Sequence, residues 1–305
     1  MSEINTQLVE KIKQLKQEKN AVILVHSYQN IELDEVADYV GDSLYLSQMA
    51  AKTNADIIVF AGVYFMAETA KILSPNKKVL LPRLESGCKM ADMIDVEQLR
   101  EFKSQNPNTP VVCYVNSSAA VKAEVDICCT SANAQKVVAS LNAKKILFVP
   151  DTYLGSYVRS QLKNVEIITY PGFCPTHMMI REDDITNLKK QYPDALVLVH
   201  PECHGKIVEL ADYVGSTTGI INYAQKSNAK EFIIATEKAV VDRLERDYPE
   251  KKFILASNKA VCQNMKWHKL EDIYNALANE EYEITVDTQI AKKALTPIEK
   301  MVAIN

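Results

Sequence analysis

Glycine is scarce in this chain, 8 among 305 residues, and none of it forms a glycine-rich phosphate loop, which weakens any nucleotide-binding reading. There is no C-x-x-C pair, so neither a zinc ribbon nor a thioredoxin-type motif is supported. The seven cysteines are odd in number, scattered, and unaccompanied by an export signal, which argues against a disulfide framework. No long basic run occurs and the net charge is −4, so nucleic acid is not expected as a partner. The longest apolar stretch, "IIVFAGVYFMA" at 57–67, is too short to span a bilayer, and the charged N-terminus has no signal-peptide core. The expected setting is the cytoplasm, with no membrane partner.

What the chain has instead is repetition. "ADYVGDS" (37–43) and "ADYVGST" (211–217) nearly coincide, and midway stands "EVDICCTS" (124–131), with an acidic residue, an apolar stretch and a hydroxyl in the same order. Three copies of a unit of roughly 87 residues are therefore expected. Apolar runs rich in β-branched residues recur in step. First strands are read at 21–30, 110–119 and 195–204, second strands at 56–62, 144–151 and 230–237, and third strands at 77–88, 165–174 and 251–262. Helical patterns follow the third strands at 95–105, 183–192 and 269–279, and a helix near 5–18 is their counterpart ahead of the first unit. Strands alternating with helices of this length predict parallel βαβ units, an α/β fold with pseudo-threefold symmetry around a shared centre. The units are predicted at 1–91, 92–178 and 179–279, with 280–305 folding back to complete the first.

Ligands of parallel sheets bind beyond the carboxyl ends of the strands. There the repeat places Cys88, Cys174 and Cys262, read as closing the three third strands at spacings of 86 and 88. Three thiolates converging on one axis suit a [4Fe–4S] cluster with one open iron, or a three-cysteine zinc. Cys113, Cys128, Cys129 and Cys203 do not repeat and are assigned to strand packing or the pocket's flank. The first-strand exits "HSYQ", "YVNS" and "HPE" supply His26 and Tyr28, Tyr114 and Asn116, and His200 and Glu202, a complement for general acid–base chemistry. His177, in "CPTH", is a possible neighbour of the metal site, while His204 and His268 are given no role. Ser43, Ser131 and Ser216/Thr217 stand where helix N-caps belong. Three helix N-termini aimed at one centre would attract a phosphate or a dicarboxylate.

Taken together, "HSYQ", "VGDSL", "FMAE", "YVNS", "CTSAN", "HPEC", "ADYVGST" and "AVCQNMK", with "SGCKMAD" and "GFCPTH", resemble the quinolinate synthase family, in order and over nearly the whole chain. The resemblance implies three similar three-layer α/β/α domains around a central active site, and a [4Fe–4S] cluster on Cys88, Cys174 and Cys262. It also implies the condensation of iminoaspartate with dihydroxyacetone phosphate to quinolinate, with loss of phosphate and two waters, in de novo NAD biosynthesis. Substrate contacts are implied for His26, Ser43, Tyr114, Asn116, Ser131, His200, Glu202, Ser216 and Thr217. Tyr28 and Glu202 are assigned to proton transfer, with His26, Tyr114 and His200 positioning the intermediate and sharing its protons. The enzyme that supplies the unstable imine is a candidate partner. Many relatives read "HNYQ" where this chain has "HSYQ", and some carry a C-terminal C-x-x-C that is missing here, so no thiol switch of that kind is expected. The alternatives are another [4Fe–4S] hydro-lyase acting on a small hydroxy acid, a zinc enzyme, and a non-catalytic iron–sulfur sensor.

Overall fold

A computed structural model describes residues 3–304. Among the described residues, twelve strands form three four-stranded sheets. The first sheet is β1 (Ala21–His26), β2 (Tyr39–Gly41), β3 (Ile57–Ala61) and β4 (Lys78–Leu80). The second is β5 (Val111–Tyr114), β6 (Ile127–Cys129), β7 (Lys145–Val149) and β8 (Glu166–Thr169). The third is β9 (Leu196–Val199), β10 (Tyr213–Val214), β11 (Glu231–Ala235) and β12 (Lys252–Leu255). All three share one order, second strand outermost, then first, third and fourth, and all their pairings are parallel. The inner strands are buried on both faces, as continuous apolar runs require. Ile23, Leu24 and Val25 are fully buried, as are Leu147 and Ile233, each contributing about 2 kcal/mol of burial.

Each sheet has one strand more than the sequence reading gave it. The extra strands β2, β6 and β10 fall within the repeated segments 37–43, 124–131 and 211–217, and at two or three residues they are too short for any periodicity to reveal. They explain why "ADYVG" recurs. Asp38, Asp126 and Asp212 each take the main-chain N–H at the start of the neighbouring first strand: Ile23 at 2.8 Å, Val111 at 2.7 Å and Val197 at 2.7 Å. Each aspartate also returns its own N–H to the carbonyl of that same residue. The carboxylate satisfies a backbone donor that would otherwise be buried at the sheet's edge, and so fixes the register of the edge strand.

The helices close the three units into a ring. Helix Val96–Ser104 follows the first sheet but lies against the second unit, with Lys103 donating to the Glu124 carbonyl and Phe102 edge-on to Tyr170. Ile185 of helix Glu182–Gln191 packs with Val197 and Ile233 of the third sheet. Leu270, Ile273 and Leu277 of helix Leu270–Asn279 return to Ile23, Val25 and Val59 of the first, beside helix Glu3–Glu18. The C-terminal segment joins the edge of β4 through an antiparallel bridge, Leu80 to Glu283. Its helix Thr288–Ala303 then reaches both the first and the second unit, where Asn133 Nδ2 donates to the Met301 carbonyl at 3.0 Å. Among the described residues, no helix is long and apolar enough to cross a membrane.

Candidate active site

The carboxyl ends of the three sheets face one cavity of about 340 Å³. It is lined by His26, Tyr28, Tyr114, Asn116, His200 and Glu202 from the first-strand exits. Ser43, Ser131 and Thr217 line it from the helix starts, and Cys88, Cys174 and Cys262 from the third-strand loops. Every residue given a site role from the sequence is therefore at the cavity except Ser216, which is buried just behind it.

Two local expectations need correction. Ser43 is the first residue of helix Ser43–Lys52, and its N-cap is Asp42, whose carboxylate takes the Tyr45 N–H. Ser131 lies two residues ahead of the cap of helix Ala134–Ser140, Asn133. Only Ser216 caps as expected, receiving the Gly219 N–H at 3.1 Å; its hydroxyl also donates to Asp42 Oδ2 at 3.2 Å, joining the first and third units. The hydroxyls of Ser43, Ser131 and Thr217 are thus freed from capping. The cysteines likewise sit not on the third strands but in the loops beyond β4, β8 and β12.

Those loops share one construction. Just after each cysteine the chain turns into a short 3₁₀ helix, Ala91–Met93, His177–Met179 and Gln263–Lys266. The main chain then donates N–H groups to the sulfurs: Met90 and Ala91 to Cys88, His177 to Cys174, and Met265 to Cys262. All three thiols are half-buried, unpaired and open to the cavity. Burial pushes the Cys88 thiol up to about 12, and raises those of Cys174 and Cys262 as well. A site that disfavours free thiolates and yet aims N–H donors at three sulfurs fits a bound cation or cluster. The other four cysteines are buried away from the cavity, Cys113 and Cys128 as register partners on adjacent strands.

The acid–base groups are tied together. Glu202 Oε2 lies 2.8 Å from His177 Nδ1, and Oε1 accepts from the Tyr114 hydroxyl. His177 Nδ1 is also 3.2 Å from Cys174 Sγ, and the donor atoms of Cys174, His177 and Glu202 all lie within 4.8 Å of one another. Burial alone would push Glu202 up, but the two imidazoles beside it, with the hydrogen bonds from His177 and Tyr114, hold its carboxyl below the usual range. Burial, then Glu202, raises the phenols of Tyr28 and Tyr114 far above their ordinary value. His26 and His200 share one arrangement: the N–H two residues on, of Tyr28 or Glu202, donates to Nδ1 at 3.1 or 3.3 Å. Burial first, then Arg243 for His26, depresses both imidazoles to about 3. Each ring is therefore neutral with its hydrogen on Nε2, and His200 turns that atom toward Ser131 Oγ at 3.3 Å.

Several supporting residues escaped the sequence reading. Thr236, fully buried, bridges Tyr28 and His177. Glu237 takes the Cys262 N–H and pairs with Lys266, whose ammonium also donates to the Tyr28 carbonyl. Arg243 donates to the carbonyls of Ser27 and Gln29, so three successive carbonyls of the Tyr28 loop are held by cations of the third unit. Asp151 is buried with Oδ1 on two helix N–H groups, and burial followed by Glu202 drives its carboxyl upward. Asp151 and Glu237 could have been found, since both begin the helix after a second strand, at the repeat spacing.

Residues 10–303 match the family model described as Quinolinate synthetase A protein. The chain is 55% identical over 299 residues to a quinolinate synthase of Alkaliphilus metalliredigens (strain QYMF), covering 98% of this chain and 99% of that one. It is 53% identical to a quinolinate synthase of Geobacter sp. (strain M21), covering 96% of each. It is 51% identical to quinolinate synthase 2 of Methanosarcina acetivorans, covering 98% of this chain and 96% of that one. With the threefold ring, the three cavity-facing thiols and near-complete coverage in agreement, the chain belongs to the quinolinate synthetase A family.

Proposed function

We propose that the central cavity condenses iminoaspartate with dihydroxyacetone phosphate to quinolinate, releasing phosphate and two waters, and that the chain serves de novo NAD biosynthesis as a quinolinate synthase. One observation carries this assignment to the cavity: three thiols and a complete set of acid–base groups, drawn from all three units, line a single space. Cys88, Cys174 and Cys262 would hold a [4Fe–4S] cluster, and the N–H groups aimed at each sulfur support that ligand set. When bound, the cluster supplies an open iron, a Lewis acid that makes hydroxide a better leaving group.

The chain's own side chains do the rest. Glu202, ionised and held by Tyr114 and His177, takes a proton from substrate, and Tyr28 serves the proton transfers of carbonyl isomerisation and ring closure. His26 and His200, neutral, present Nε2–H as donors that orient the intermediate. The hydroxyls of Ser43, Ser131 and Thr217, with Asn116 and with Ser216 behind them, bind the carboxylates and the phosphate at the helix starts. The working units are 1–91 with 280–305, 92–178 and 179–279, and an enzyme supplying iminoaspartate is a candidate partner because that imine is unstable. The test is anaerobic purification followed by assay with dihydroxyacetone phosphate and freshly generated iminoaspartate. Quinolinate formation is expected; an iron-loaded protein that dehydrates only simple hydroxy acids would replace this assignment with a hydro-lyase.

A further inference from the structure

Four Asp, Glu and Lys side chains line the cavity, and the two acids are both engaged. Glu202 is held by Tyr114 and His177, while Asp42 takes the Tyr45 N–H at 3.1 Å and the Ser216 hydroxyl at 3.2 Å. The other two are Lys89 and Lys259, whose ammonium groups have no hydrogen-bonding or ion-pair partner among the described residues. The acids are buried and both lysines are exposed, so the acids belong to the cavity's floor and the free cations to its mouth.

The cysteine loops put them there. Lys89 follows Cys88 directly, Lys259 precedes Cys262 by three residues, and Asn264 Nδ2 donates to the Gly87 carbonyl at 2.7 Å, tying the two loops together. Neither lysine repeats. The counterparts of Lys89 are Pro175 and Gln263, and those of Lys259 are Pro171 and Glu85, which does not line the cavity. The second unit's loop contributes Pro175, Thr176 and half-exposed Met179 instead. Uncompensated positive charge is thus gathered on one side of the mouth, between the first and third units. A cleft lined by free charge of one sign focuses its field and concentrates ions of the other sign.

We propose that Lys89 and Lys259 form an anion-capture site that draws dianions, a phosphate monoester or a dicarboxylate, into the cavity and strengthens their binding. This deepens the assignment of the quinolinate reaction to the cavity and rests on it. It adds two residues that substrate meets before the hydroxyls of Ser43, Ser131 and Thr217.

The test compares native protein with Lys89→Gln, Lys259→Gln, the double Gln variant and a double Arg variant that keeps both charges. All are purified anaerobically, with iron content and melting temperature recorded. Calorimetric titration with dihydroxyacetone phosphate, and separately with quinolinate, gives Kd at low and high salt. At about 20 mM salt each single Gln change should weaken Kd about threefold and the pair about tenfold. At about 0.5 M the pair should return to within about twofold of native, because screening removes the field. The double Arg variant should stay within about twofold of native at both. KM for dihydroxyacetone phosphate should rise in the same order, by more than any fall in kcat. Weakening with one probe alone supports capture and identifies the dianion captured. A double Gln variant that binds both probes as native does at low salt overturns the proposal. So does a loss that persists at high salt or is shared by the Arg variant, and so does native binding that is absent or insensitive to salt. These titrations need no turnover: a native protein that binds the probes but forms no quinolinate refutes the reaction assignment, while the Kd values still decide the role of the lysines.

Discussion

Arg243 is the clearest point at which stability and chemistry meet. Its guanidinium is 4% exposed and donates to the carbonyls of Ser27 at 2.7 Å and Gln29 at 2.9 Å, while pairing with Asp34 at 2.5 Å. Arg243→Met fills much of the volume but strands two buried carbonyls in the loop that carries Tyr28. Each unpaired acceptor costs about 1–3 kcal/mol, and dismantling a buried, hydrogen-bonded charge costs about 3–5 kcal/mol in all. Asp34 keeps Arg246 at 2.8 Å, so its carboxylate is not left alone and the lower half of that range applies. Against a total of about 5–15 kcal/mol, the melting temperature should fall by on the order of 10 °C. Activity measured well below that temperature should also fall, because Tyr28 loses its fixed backbone. Arg243→Lys, which restores charge but not the fork, should lie between the two. Thermal unfolding with a parallel quinolinate assay measures both effects. A Met variant melting within about 2 °C of native, with native kcat, would refute the clamp.

Glu202→Gln preserves shape but replaces one carboxylate oxygen with an N–H donor, so it can no longer accept from both Tyr114 and His177, and kcat should fall by about a hundredfold or more with iron content unchanged. Native turnover in that variant would remove Glu202 from the proton-transfer role. Acid stability follows from the buried imidazoles, since burial holds His26 and His200 at about 3 and His268 at about 4. Unfolded, all three titrate near 6.5, so below that pH the unfolded chain binds more protons and stability falls with pH. Their full contribution is present above about pH 6.5 and is lost toward pH 3–4, with a slope of up to about 4 kcal/mol per pH unit. Urea midpoints measured from pH 7.5 to 5 test this, and a flat profile would show that these rings are not held neutral.

Much of this molecule was legible because it is written three times. His26, Tyr114 and His200, like Cys88, Cys174 and Cys262, occupy equivalent positions, and equal spacing is visible without coordinates. The same logic misplaced the cysteines onto strands, since apolar residues such as Leu81 carry the strand's pattern past its hydrogen-bonded end. It also missed β10, two residues long and anchored beside β9 by Asp212. The supporting residues were hidden for a different reason. Thr236 corresponds to Gly62 and Pro150, and Arg243 to Thr69 and Tyr157, so neither repeats in kind. A ring of three similar units turning over an asymmetric substrate needs such differences, and periodicity cannot display them.

The central claim is that one thiol from each unit holds a single cluster. Iron and acid-labile sulfide should be counted in anaerobically purified native protein and in seven variants, each with one cysteine changed to serine. The account predicts about four irons per native chain. It predicts marked loss at Cys88, Cys174 and Cys262, and retention at Cys113, Cys128, Cys129 and Cys203. Iron retained in any of the first three, or a native protein that binds none after reconstitution, would contradict it.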